Sequence, residues 1–140
     1  MTNHDTFQKM KNDLISQNEN SYGKEARERF GDQAMDDSNR KLAGLSEEQW
    51  QHQQFLAEQI LAELKTLMPK NDPAGPGAQA LCDLHRQWLQ IFWADGAYSH
   101  QAHLALAEGY LADQRFTAYY DQAAPGATQY LRDALSIYCG

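Results

Sequence analysis

The apolar positions fall at helical spacing from end to end, thinly in the first 44 residues and densely after them. Phe7, Met10 and Leu14 recur within residues 3–18 among charged neighbours, and Tyr22, Ala26 and Phe30 repeat the pattern over 22–30 before Gly31, a natural helix stop. A third short helix over about 33–43 offers Ala34, Met35, Ser38 and Leu42 ahead of Gly44. Helices this short are marginal alone because nucleation is costly and the buried stripe is narrow, so their order must come from what they pack against. Residues 1–44 therefore read as a front segment, and residues 45–140 as the core of one domain.

The remainder carries stronger signals. Ser46 followed by Gln49 fits a capping box, with Glu47 and Glu48 favourably placed in the first turn. The helix it opens runs to about Met68, with Trp50, Ala57, Ile60, Leu61, Leu64, Leu67 and Met68 on one face, and Pro69 ends it. PKNDPAGPG (69–77) is a loop between two halves of one bundle. A helix over about 78–93 aligns Leu81, Leu84, His85, Trp88, Ile91 and Phe92 before Asp95-Gly96 breaks it. Ser99 caps a helix to about Ala112 with Ala102, His103, Leu106, Ala107 and Tyr110 inward, and Asp113 caps a short one holding Phe116, Tyr119 and Tyr120. Pro125 starts the last helix, which carries Tyr130, Leu131, Ala134, Leu135 and Tyr138.

Composition agrees with an all-α bundle. The chain has no Val and little Ile, whereas Leu, Ala and Gln abound. Its 140 residues suit one domain with one core. A net charge of −7, from 19 acidic and 12 basic side chains, argues against nucleic-acid binding by this chain alone. No apolar run reaches membrane-spanning length and the start is polar, so no membrane partner is expected and the cytoplasm is the default location. Two cysteines, Cys82 and Cys139, make no disulfide framework.

Two clusters could carry chemistry. Cys82, His85, His100 and His103 imitate a zinc site, each pair three residues apart on a helical face. The pairs also have ordinary apolar reasons to be where they are. The plainer reading makes His85 and His103 core or pocket histidines and His100 a surface residue, with no metal or cofactor. Ser99 beside His100 makes no triad, and no phosphate-binding glycine loop is present. The second cluster is aromatic: Trp88, Phe92, Trp93, Tyr98, Tyr110, Phe116, Tyr119 and Tyr120 fall within 33 residues. They are either core and rim of a small bundle or the lining of a groove for a large, flat, partly apolar ligand.

Five strings resemble the TipAS family of drug-recognition domains in order and spacing: NSYGKEARERFGD (20–32), SNRKLAGLSEEQW (38–50), HRQWLQIFW (85–93), HQAHLALAEGYLADQRFTAYYD (100–121) and APGATQYLRDAL (124–135). The resemblance implies a compact, globin-like helical bundle with a deep cleft for bulky antibiotics, typically thiopeptides. It also implies an N-terminal segment that is mobile without drug and closes over it, which matches the marginal helices of residues 1–44. The resemblance further implies a tie to MerR-type transcription regulators, in which domains of this family usually follow a DNA-binding head. On this reading the chain is a binding domain and not an enzyme. Trp88, Phe92, Trp93, Tyr98, His103 and Tyr110 line the cleft, and Tyr22 and Phe30 arrive from the lid.

Two departures qualify the resemblance. Some members capture the drug covalently with a cysteine, where this chain has Tyr98 and Ala105. Nothing between Asp83 and Tyr138 is a cysteine, so reversible binding is expected. No basic DNA-binding head is present either. Two roles follow: drug sequestration conferring resistance, or the effector portion of a longer regulator. A protein-interaction module using the same groove is the competing reading.

Overall fold

A computed structural model describes residues 3–140, and Met1 and Thr2 of the front segment lie outside them. The described residues form helices and connecting loops. In chain order the helices are α1 (Asn3–Asn18), a π turn (Glu19–Gly23), α2 (Lys24–Phe30), α3 (Asp32–Ala43), α4 (Glu47–Leu67), a short 3-10 turn (Met68–Lys70), α5 (Pro76–Phe92), α6 (His100–Ala112), α7 (Gln114–Asp121) and α8 (Ala127–Tyr138).

The body is built from α4 to α8. Ser46 accepts from the Gln49 amide and the Gln49 side chain accepts from the Ser46 amide, completing the capping box that starts α4. Helices α4 and α5 pack as a hairpin across the proline-rich loop, whose Pro73 carbonyl is held at 2.8 Å by the Gln79 amide group. Ile60, Leu64 and Leu67 of α4 meet Leu81 and Cys82 of α5, Ala107 and Tyr110 of α6, Tyr120 of α7, and Leu131, Ala134 and Leu135 of α8. The α4 face is rotated slightly from the expected stripe. Gln53 and Leu56 are buried, whereas Trp50, Ala57 and Leu61 sit at its edge.

Helix α8 begins two residues later than its proline signal, after Gly126 at φ +88°, and that glycine supplies no side-chain cap. Asp121, ending α7, substitutes: its carboxylate takes the Thr128 amide at 2.9 Å and the Thr128 hydroxyl at 2.8 Å. The corner is fixed from outside the helix.

The front segment differs from its expected form in one respect. No break separates the first two helices. Asn18, Gly23 and Lys24 all keep right-handed helical angles, so α1, the π turn and α2 make one rod from Asn3 to Phe30. The extra residue of a π turn is absorbed at Gly23, where any side chain would collide with the Glu19 carboxylate. That carboxylate reaches over the glycine to Arg27 at 2.5 Å and Asn39 at 2.8 Å. Gly31, at φ +90°, turns the chain back into α3.

Polar ties hold these helices together. Arg27 also pairs with Asp32 at 3.1 Å and Asp36 at 2.9 Å, so one guanidinium joins the π turn, α2 and α3. Buried Lys11 donates to the carbonyls of Ala43 at 2.7 Å and Leu45 at 2.6 Å, satisfying acceptors that the end of α3 leaves open. Among the described residues up to Gly44, Leu42 is the buried apolar side chain. With so little apolar burial, the segment is a thin layer resting on the body.

Candidate functional site

Three groups of rings meet around one buried histidine pair. The first group stands on α4 and α5. Trp50 contacts Phe92 edge-on at 6.5 Å, Phe92 contacts Trp88 at 5.3 Å, and Trp88 contacts His85 at 5.7 Å. The Trp88 indole nitrogen donates to Gln53 at 3.2 Å, which fixes the ring's orientation. From the front segment, Phe7 of α1 reaches Trp50 at 6.4 Å. Beside that contact lies an open groove of about 480 Å³, walled by Thr6, Met10, Asp13, Leu14 and Gln17 of α1 and by Trp50. Positions 6, 10, 13, 14 and 17 share one helical face, so the α1 stripe turns partly toward this space.

The second group ties the π turn and the start of α2 to α6 and α7. Tyr22 lies 5.6 Å from Phe116, and Phe116 lies 5.5 Å from Tyr110. The Arg115 guanidinium sits 4.2 Å over the Tyr22 ring and also reaches the Ser21 carbonyl and Glu25. The third group is Trp93 and Tyr98, 5.9 Å apart, with His100 and Tyr138 alongside. At about 100° per residue, Trp93 lies roughly 140° around α5 from Trp88. The expected cleft residues are therefore divided between two faces of α5.

Between the faces runs a chain of hydrogen bonds. The Tyr98 hydroxyl is 2.7 Å from His103 Nδ1, His103 Nε2 is 2.8 Å from His85 Nδ1, and His85 Nε2 is 3.0 Å from the Tyr120 hydroxyl. Both imidazoles are fully buried and nearly coplanar, 10° apart in plane with centroids 5.0 Å apart, so they meet edge to edge through the shared hydrogen bond. Burial holds them neutral. His85 is pushed down to about 3, first by desolvation and then by its histidine neighbour. His103 is pushed down to about 4 by desolvation, then by His100 and Arg86.

Of the residues expected to line a cleft, His103 and Tyr110 are buried in the core. Phe30 ends α2 with half of its surface in solvent, so it does not point inward as its spacing suggested. Tyr22, Trp88, Phe92, Trp93 and Tyr98 are half-buried, as lining residues would be. All four ring nitrogens of His85 and His103 are committed to hydrogen bonds, leaving no lone pair aimed at a metal, and His100 is exposed. Among the described residues no group of three or more His, Cys, Asp or Glu could hold a metal ion. Sequence reasoning put Trp50 on the core stripe and gave no sign of the groove that it walls with α1. The exposure of Met10 was the signal that only a structure supplies.

The model of the TipAS antibiotic-recognition domain matches residues 22–138. The chain belongs to the TipAS family. Similar TipAS-containing proteins include the HTH-type transcriptional activator TipA of Streptomyces coelicolor and of Streptomyces lividans. Each is 36% identical over 116 residues, covering 81% of this chain and 45% of theirs. The HTH-type transcriptional activator mta of Bacillus subtilis is 24% identical over 139 residues, or 99% of this chain and 53% of its own. The chain thus spans about half the length of these relatives. A solved structure of nosiheptide in complex with TipAS, from a thiopeptide antibiotic multidrug resistance system of Streptomyces lividans, superposes with a TM-score of 0.72 at 33% identity. It covers 86% of this chain and 85% of that one. Among the described residues, no helix of this TipAS domain is long and apolar enough to cross a membrane.

Proposed function

We propose that this TipAS domain reversibly binds bulky, partly apolar antibiotics of the thiopeptide kind, without chemical turnover, between its front helices and the body's aromatic wall. The observation that carries the reading is the groove of about 480 Å³ between the α1 stripe and Trp50, whose ring packs on Phe92 and through it on Trp88. Half-buried indoles and phenyl rings offer wide, flat contact area at little rotamer cost, and their edges accept polar decoration on a ligand. A macrocyclic drug would need more room than the groove offers. The front segment can supply it because a few polar and ring contacts hold it to the body: Lys41 to the Gln90 carbonyl, Arg115 to Ser21 and Glu25, Phe7 to Trp50, and Tyr22 to Phe116.

Thiol chemistry has poor support here. Cys82 is fully buried, and burial pushes its thiol up to about 12, so almost none is thiolate at neutral pH. Cys139, the other free cysteine, is half-buried near Tyr98, and burial raises its thiol above the ordinary value too, which leaves less of it as the thiolate that would add to a dehydroamino acid of the drug. Residues 3–44 act as the lid and the remainder as the receptor. The domain serves either to sequester the drug or as the effector portion of a longer activator.

Titration with nosiheptide is expected to change tryptophan emission saturably, because Trp50 and Trp88 flank the proposed site. The mass of the denatured complex should equal that of the free chain. A flat titration across several thiopeptides would refute the binding reading, and an adduct surviving denaturation would refute its reversibility.

A further inference from the structure

The groove beside Trp50 is walled by a helix with little apolar surface to rest on. Helix α1 lines it with Met10, Asp13, Leu14 and Gln17, yet among the described residues up to Gly44 the buried apolar side chain belongs to Leu42 of α3. The buried side chain of α1 is instead Lys11, with 2% of its surface in solvent. A buried ammonium is costly unless its hydrogens find partners. Lys11 Nζ donates to the Leu45 carbonyl at 2.6 Å and to the Ala43 carbonyl at 2.7 Å, and it stands 4.5 Å over the Phe7 ring. Gln8 adds a longer bond, 3.4 Å, to the same Ala43 carbonyl. Both oxygens belong to the joint between Ala43, which ends α3, and Ser46, which caps α4. Carbonyls at the end of a helix lack intrahelical partners, and a cation there is favourably placed. Phe7, under the ammonium, is the ring that meets Trp50. One lysine therefore joins α1, the joint and the ring that abuts the groove's aromatic wall.

We propose that Lys11 is the positioning residue of the binding groove: it seats α1 on the α3–α4 joint and so holds Met10 and Leu14 beside Trp50. The helix repeat keeps Lys11 itself clear of the guest. At about 100° per residue it lies roughly 120–160° around α1 from positions 6, 13 and 17, which face the groove. A ligand in the groove leaves the two carbonyl bonds in place, and α1 can roll about them to make room. Lys11 acts through α1 and Phe7, not by touching the ligand. The family match begins at residue 22, so the α1 wall and its seat lie ahead of the matched part of the chain. The effect on ligand rests on the function proposed above, whereas the seating of α1 does not.

The test is amide hydrogen exchange of the free full chain, paired with nosiheptide titration, in wild type, Lys11→Met and Lys11→Arg. Lys11→Met keeps the stem and removes the donors. Exchange across α1 is expected to rise about tenfold, because two carbonyls lose a charged partner, while α5 and α8 stay as they were. Nosiheptide affinity should fall about tenfold as the seated fraction of α1 falls. Lys11→Arg, which keeps a charged donor, should regain most of both losses. Unchanged exchange in α1, or equal losses in the Met and Arg variants, would overturn the seat. So would a Lys11→Met chain that fails to fold, or faster exchange that extends equally into α5 and α8, since Lys11 would then support the body in general. A loosened α1 with unchanged affinity would overturn the positioning role toward the groove. A wild-type titration that never saturates would instead count against the proposed function, and the exchange comparison would still decide the seat.

Discussion

Between about pH 6.5 and pH 4 the protein is expected to lose several kcal/mol of stability and to unfold cooperatively within or just below that window. In the unfolded chain His85 and His103 take up protons near the ordinary value of 6.5, whereas in the fold they resist protonation until about 3 and about 4. The unfolded chain therefore binds more protons across this interval, and acid favours it. Stability from the pair is fully present above pH 6.5 and is lost as pH falls through the folded values. Each buried neutral histidine contributes a slope of about 1.4 kcal/mol per pH unit, and two act together over most of the range. Set against a typical domain stability of roughly 5–15 kcal/mol, that is a large share. Urea denaturation at half-unit pH steps measures it. A midpoint flat from pH 7 to pH 4.5 would mean that the pair is not held neutral.

Trp50→Ala is expected to weaken antibiotic binding by roughly tenfold to a hundredfold while leaving the fold intact. Trp50 stands at the edge of the core, between Phe7 of the front segment and Phe92 of the body, and it walls the groove. Truncating a tryptophan in a ligand contact commonly costs about 2 kcal/mol or more, and 1.4 kcal/mol is a factor of ten in affinity. Removing its half-buried ring should disturb the α4–α5 core far less, because Leu56, Ile60 and Leu64 carry that packing. Calorimetric titration of wild type and variant checks it, with far-ultraviolet circular dichroism as the control. Equal affinities would place the ligand elsewhere.

The elements that sequence made legible were those whose signals are local. Ser46 with Gln49, Ser99 and Asp113 announce helix starts through side-chain capping, and each is found doing so. The proline-rich loop and the turn at Gly31 were equally local. The fused rod from Asn3 to Phe30 was not, because a π turn at Glu19–Gly23 depends on Glu19 finding Arg27 and Asn39, a tertiary arrangement. The site divided along the same line. Aromatic density between Trp88 and Tyr120 was visible, but the pairing of His85 with His103 across eighteen residues and two helices was not. Phe30 shows how spacing misleads: one more position on an apolar stripe can land in solvent when the segment it belongs to has so little to cover.

The central claim is that a bound drug lies between the front helices and the body and gains its lid from them. Amide hydrogen exchange of the protein with and without saturating nosiheptide tests it most directly. Protection is expected to rise chiefly across residues 3–44 and at the start of α4 around Trp50, with little change in α8. Unchanged exchange across residues 3–44, at a drug concentration that saturates the tryptophan signal, would contradict it.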